Sequence, residues 1–177
     1  MQQLPRTEGL PDNVIDELRK VWQRSSEECC ALAELLHSLE SDSERWFLVN
    51  FVNRFPERYH PVNQVALTGN AYGAIVDVVP QEKLHVGSSF WRPDFTIHVQ
   101  PLGGKRSHFC VELNGYQFHH ATEAQVRRDY EKYRAFSCAG VVLLPYSSSE
   151  LLDNPRSVAG DVDLQIRKRA RQVMGAA

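Results

Sequence analysis

Asp94 and Glu112 are the two residues of this chain whose types and surroundings best fit joint chemistry. Asp94 closes Trp91-Arg92-Pro93-Asp94 and opens the β-branched stretch Phe95-Thr96-Ile97-His98-Val99. Glu112 lies in Phe109-Cys110-Val111-Glu112-Leu113-Asn114-Gly115. A period of two there sends Glu112 and Asn114 to one face and Val111 and Leu113 to the other. The turn signal Pro101-Leu102-Gly103-Gly104-Lys105 makes residues 95–99 and 108–113 an antiparallel pair. Such a pair sets the start of one strand beside the end of the next, so the two carboxylates become neighbours. Neighbouring carboxylates are unfavourable unless something neutralises them. A hard divalent cation does so: Mg²⁺ prefers carboxylates, waters and phosphate oxygens, and it can polarise a phosphodiester and make hydroxide from bound water. The same residues admit a plainer reading as surface salt bridges, Asp94 with Arg92 or Arg106 and Glu112 with a lysine.

The elements that must position this pair follow from periodicity and punctuation. Residues 1–11 are polar, with Pro5, Gly9 and Pro11, and read as a loose arm. Val14, Leu18, Val21 and Trp22 then give a helical stripe, with a break near Ser25-Ser26 and a continuation through Leu32, Leu35, Leu36 and Leu39. Ser41-Asp42-Ser43 starts a further helix, which carries Glu44 in its first turn and stops at Pro56. The alternation over 62–68 predicts one strand, and Ala71–Val79 another. Residues 80–91 read as a loop or a widened hairpin. Thr122 and Gln125 form a capping box opening a helix whose buried stripe is expected at Val126, Tyr130 and Tyr133, with Gly140 at its end. Val141–Leu144 is a continuous apolar run expected of a central buried strand. Ser147–Leu152 reads as a short helix, and a final amphipathic helix carries Val158, Val162, Ile166, Ala170 and Val173.

The chain of 177 residues fits one core, with residues 1–40 as an N-terminal helical extension and 41–177 as an α/β domain. A net charge of -2 leaves any nucleic-acid partner to a local basic face. Arg127, Arg128, Lys132 and Arg134, and again Arg167, Lys168, Arg169 and Arg171, are such clusters, or simply solvated faces. Trp91 beside Arg92 stacks on a base or fills the core. The four cysteines include no C-x-x-C pair, so zinc is disfavoured and buried free thiols are expected. No apolar run spans a bilayer and no signal peptide opens the chain, which points to a cytoplasmic setting without membrane contact.

The stretch from Pro93 to Glu150 carries a further pattern. The string Glu112-Leu113-Asn114-Gly115-Tyr116-Gln117-Phe118-His119 continues through Thr122-Glu123-Ala124-Gln125-Val126-Arg127-Arg128-Asp129, Gly140, Val141–Leu144 and Ser149-Glu150-Leu151. With Ser43-Glu44 and Gln64 upstream, it resembles the PD-(D/E)XK nuclease superfamily, in its very-short-patch-repair-endonuclease-like branch, over residues 41–155. The resemblance implies a restriction-endonuclease-like core, a central mixed sheet of four to five strands flanked by helices. It also implies a Mg²⁺- or Mn²⁺-dependent endonuclease acting on DNA, with a homodimer left open. Asp94, Glu112, the Leu113 carbonyl and Glu44 would then serve the metal. Asn114 stands where the superfamily has a charged residue; an amide can ligate or position water but cannot be a general base. His119 would move a proton or touch the phosphate. Gln125 and Lys132 would meet the phosphate or the metal shell, with Asp129 orienting one of them. Arg92, His120, Arg127, Arg128 and Arg134 would contact nucleic acid. His119-His120 also read as a loop pair bonded to backbone. The second function class is a nuclease fold that binds nucleic acid or a protein without cutting.

Overall fold

A computed structural model describes residues 5–62, 66–114 and 122–174. Three helices come first: α1 (Asp12–Arg24), α2 (Ser26–Ser38) and α3 (Asp42–Arg54). The expected break is a cap, since Ser25 ends α1 and its hydroxyl accepts the Glu28 N–H at 3.2 Å to start α2. Ser41 does the same for α3 through the Glu44 N–H. Phe47, Leu48, Val49, Phe51 and Val52 of α3 are all buried. That is the pattern of a helix enclosed on most sides. The helices 1–40 were expected to add share its core: Val14, Leu18, Leu32 and Leu36 pack in the same cluster as Phe47 and Phe51.

Among the described residues eight strands follow: β1 (Tyr59–Val62), β2 (Ala66–Ala71), β3 (Ala74–Pro80), β4 (Leu84–Val86), β5 (Ser89–Trp91), β6 (Phe95–Pro101), β7 (Ser107–Asn114) and β8 (Leu143–Ser147). Helix α4 (Glu123–Cys138) lies between β7 and β8, and α5 (Ser148–Asp153) and α6 (Pro155–Met174) close the chain. Six strands form one mixed sheet in the order β1-β2-β3-β6-β7-β8, one more than the upper expectation. The single strand expected over 62–68 is instead a hairpin, with Val62 opposite Ala66. The turn between β2 and β3 runs through Tyr72 (φ 56°) and Gly73 (φ 75°), the paired left-handed geometry of a tight hairpin.

β7 and β8 are parallel, joined by α4 as crossover. This puts β8 at the sheet edge, not its centre, and leaves Leu143 and Leu144 only half-buried. Both edge strands carry a proline, Pro61 and Pro145, which blunts their capacity to pair with another chain.

The two sheet faces differ. Val76, Val78, Phe95, Ile97, Val99, Phe109, Val111 and Leu113 join the main core under α3 and α6. On α6 the predicted Val158, Val162, Ile166 and Ala170 are buried, while Val173 has a side chain outside the described residues. Asp163 joins them in the interior and accepts from the Tyr59 hydroxyl (2.9 Å), the Tyr72 hydroxyl (2.5 Å) and Arg58 (3.2 Å). This network ties α6 to the β1–β3 end of the sheet. On the opposite face a smaller cluster of Val86, Cys110 and Phe136, with Leu84, Trp91 and Leu143 against it, seats α4 and the β4–β5 hairpin. Trp91 thus follows the core reading.

The stripe expected on α4 holds at Tyr133 and fails at its other two positions. Val126 and Tyr130 are exposed, and the helix turns Asp129, Lys132, Tyr133 and Phe136 inward. All four cysteines are free, with Cys29 and Cys110 buried and Cys30 and Cys138 exposed. Among the described residues no helix is long and apolar enough to cross a membrane.

Candidate metal centre

The antiparallel register of β6 and β7 places Phe95 opposite Val111, so Asp94, one step before, meets Glu112, one step after. Main-chain bonds fix the pair. The Leu113 N–H donates to Asp94 Oδ2 at 2.5 Å, and the Gln81 N–H donates to the Asp94 carbonyl at 2.9 Å. Glu112 lies on the face that α4 covers, and Lys132 Nζ donates to its Oε2. Little of either side chain reaches solvent, 16% of Glu112 and 13% of Lys132.

The plainer salt-bridge reading therefore holds for one residue of the two. Glu112 has its lysine, but Arg92 pairs with Glu40 at 2.8 Å and Arg106 with Asp77 at 3.5 Å, so neither neutralises Asp94. Burial first, and then the charge of Glu112, push the Asp94 carboxyl up to about 7, against the opposing Leu113 N–H; Glu44 adds to the rise and Lys132 opposes it. The Glu112 carboxyl is also raised, by burial first; the charge and hydrogen bond of Lys132 oppose that, and Asp129 and Glu44 add to it. Glu44 thus adds negative charge to both carboxyls and Asp129 to Glu112, against the ammonium group of Lys132. A divalent cation would relieve that imbalance.

Glu44 is 4% exposed and held by three donors. Ser41 Oγ bonds its Oε1 at 2.8 Å; the Glu40 N–H (3.3 Å) and Gln81 Nε2 (2.8 Å) bond its Oε2. Its charge reaches Asp94 and Glu112, yet among the described residues no three His, Cys, Asp or Glu side chains form a group able to hold a metal. The donor set fits a cation that keeps most of its waters, as Mg²⁺ does, and does not fit a closed protein cage.

The other predicted residues divide. Lys132 is at the pair, and Leu113 borders it through its backbone. Asn114 ends β7 opposite Ser147. His119, His120 and Gln64 lie outside the described residues. Gln125 completes the capping box, its amide oxygen accepting from the Thr122 N–H at 2.8 Å. Arg127, Arg128 and Arg134 are on the exposed surface of α4, with Arg127 bonded to Glu131.

Gln81 is the residue that spacing did not reveal. It adopts φ 53°, rare for a side chain with a Cβ, and bridges the Asp94 carbonyl to the Glu44 carboxylate. It sits in a stretch with no periodicity, so nothing in the sequence marks it. Gln81→Ala keeps the backbone strain and loses the amide bond to a buried carboxylate, and should lower stability by about 1–3 kcal/mol. Gln81→Gly relieves the strain and should lose less. Urea denaturation of both variants checks the difference.

No protein-family model, curated protein or solved structure matches this chain.

Proposed function

We propose that this chain is a divalent-metal-dependent endonuclease that hydrolyses phosphodiester bonds in DNA, on a restriction-endonuclease-like core of the PD-(D/E)XK type. The observation that carries the proposal is the Asp94–Glu112 pair, half-buried at the lip of two adjacent strands, with Asp94 in no ion pair among the described residues. A bound Mg²⁺ would supply charge stabilisation at the scissile phosphate and an acidified water.

The residues of the chain do the rest. Asp94 and Glu112 would hold the ion, with Asp94 aimed by the Leu113 N–H. Lys132, delivered from α4 to Glu112, would provide the positive charge that Asn114 does not. Ser41 and Gln81 hold Glu44 in place, and through it the negative field. Arg127, Arg128 and Arg134 would grip the phosphate backbone without reading sequence.

A second reading, a nucleic-acid-binding module that does not cut, is favoured by one contact: Lys132 already neutralises Glu112, where the cation would lie. A plasmid-nicking assay separates the two. Mg²⁺- or Mn²⁺-dependent nicking that disappears in Asp94→Ala supports the nuclease. Metal-independent binding with no nicking, weakening steeply with salt, supports the module.

A further inference from the structure

The β4–β5 hairpin has two unlike faces. Leu84, Val86 and Trp91 pack against Cys110 and Phe136. His85 and Phe90, paired across the hairpin, project from the other side, and Phe90 is 63% exposed. A single solvated phenylalanine needs no explanation, but this ring is part of an arrangement. The His85 ring lies 4.9 Å from it, centroid to centroid, and Lys83 Nζ stands 4.8 Å from its centroid.

We propose that Lys83, His85 and Phe90 form a stacking platform for an unpaired nucleobase in a strand whose phosphate reaches Asp94 and Glu112. This rests on the nuclease reading above. The chemistry of the patch selects the occupant. A nucleotide offers a flat π face to Phe90 and, on the same unit, a phosphate to an ammonium group. Lys83 over an exposed ring is weakly held, so it can swing from the ring to that phosphate as the base arrives. The one acidic residue beside it in sequence, Glu82, is tied to His98 at 2.7 Å.

The placement suits a single strand bound to both sites. Phe90 is four residues before Asp94, so their backbones are no more than about 14 Å apart. The inner face of the hairpin is anchored in the cluster beside Glu112, and Pro93 stiffens the link, so the platform keeps a fixed position relative to the carboxylates. A phenyl face accepts every base, so the platform would favour unpaired over paired nucleotides without sequence preference.

The test is fluorescence anisotropy in EDTA, so that nothing is cut, with a labelled single-stranded oligonucleotide and its duplex. Phe90→Ala should weaken single-strand binding about tenfold, within the range of one lost base stack, with its melting temperature unchanged. Duplex binding should change much less. Phe90→Trp should restore affinity, and its fluorescence should be quenched on binding. Lys83→Met should weaken binding and flatten its salt dependence. Wild-type binding that Phe90→Ala leaves intact overturns the platform while the nuclease reading survives, and retained plasmid nicking identifies that case. If the wild type binds neither strand nor duplex, the platform falls, and if it also fails to nick plasmid in Mg²⁺ or Mn²⁺ the nuclease reading falls with it. If Phe90→Ala instead dissolves a dimer in sedimentation, the ring belongs to an interface between copies and the platform is wrong.

Discussion

Asp94→Asn should make the protein more stable at pH 8 while abolishing cleavage. Raising a carboxyl from its ordinary 3.8 to about 7 opposes folding by up to about 4 kcal/mol once the group is ionised. The sign is set by which state binds the proton. Between pH 4 and 7 the folded protein holds a proton on Asp94 that the unfolded chain has released. Stability therefore falls as pH rises through that window and levels off above it. Asparagine carries no charge to bury and can still accept the Leu113 N–H. The variant should melt roughly 5–10 °C above wild type at pH 8, and the gap should close toward pH 4. Added Mg²⁺ should raise the melting temperature of the wild type and not of the variant. Nicking should fall at least about 10³-fold, the loss that follows when several kcal/mol of charge stabilisation is removed. Calorimetry across pH, with and without Mg²⁺, checks the first part. An Asp94→Asn protein no more stable than wild type at pH 8 would mean that the carboxylate is already neutralised.

Lys132→Met should have the opposite effect on stability. It strips the counter-ion from Glu112, whose side chain is 16% exposed. Leaving one partner of a buried pair typically costs about 3–5 kcal/mol, and the low end applies here because Glu112 can respond by taking up a proton. Glu112→Gln with Lys132→Met should recover most of that stability, since neither group is then a buried charge. If Lys132 assists at the phosphate, cleavage falls in both variants. If it only plugs the site, Lys132→Met binds Mn²⁺ more tightly and cuts faster. Titration calorimetry with Mn²⁺ and a nicking rate on the same preparations decide between the two.

The most legible parts of the molecule are those governed by local rules. Ser41 and Thr122–Gln125 announce their helices because a side chain near each start satisfies N–H groups that no helix can satisfy itself. The β6–β7 pair is legible because strict alternation and a Gly-Gly turn fix its register. That register is what brings Asp94 to Glu112. Elsewhere the same rules mislead. Residues 62–68 alternate as one strand would, so the antiparallel pairing of Tyr59–Val62 with Ala66–Gly69 passes for a single strand. The apolar run at 141–144 looks central, yet its neighbours are decided by a crossover that no local pattern encodes.

Helix α4 is the informative failure. Its sequence offers Val126 and Tyr130 to the core, but the fold turns Asp129 and Lys132 inward and leaves those two residues in solvent. A helix that turns Asp129 and Lys132 inward beside Phe136, and leaves Val126 and Tyr130 in water, departs from ordinary packing, and such breaks gather where a site sets the requirement. Lys132 on Glu112 is the local reason here. Gln81 breaks a different rule, through its backbone. Lys132 is already expected at the metal shell, whereas Gln81 depends on contacts between segments far apart in the chain and could not be read from spacing.

The most direct measurement is anomalous diffraction from crystals soaked in Mn²⁺ at pH 8. If Asp94 and Glu112 share a cation, a peak appears between their carboxylates, about 2–2.5 Å from an oxygen of each, and Lys132 draws back from Glu112. A map with no peak there, and Lys132 still seated on Glu112, contradicts a shared metal and leaves a Glu112–Lys132 salt bridge beside Asp94.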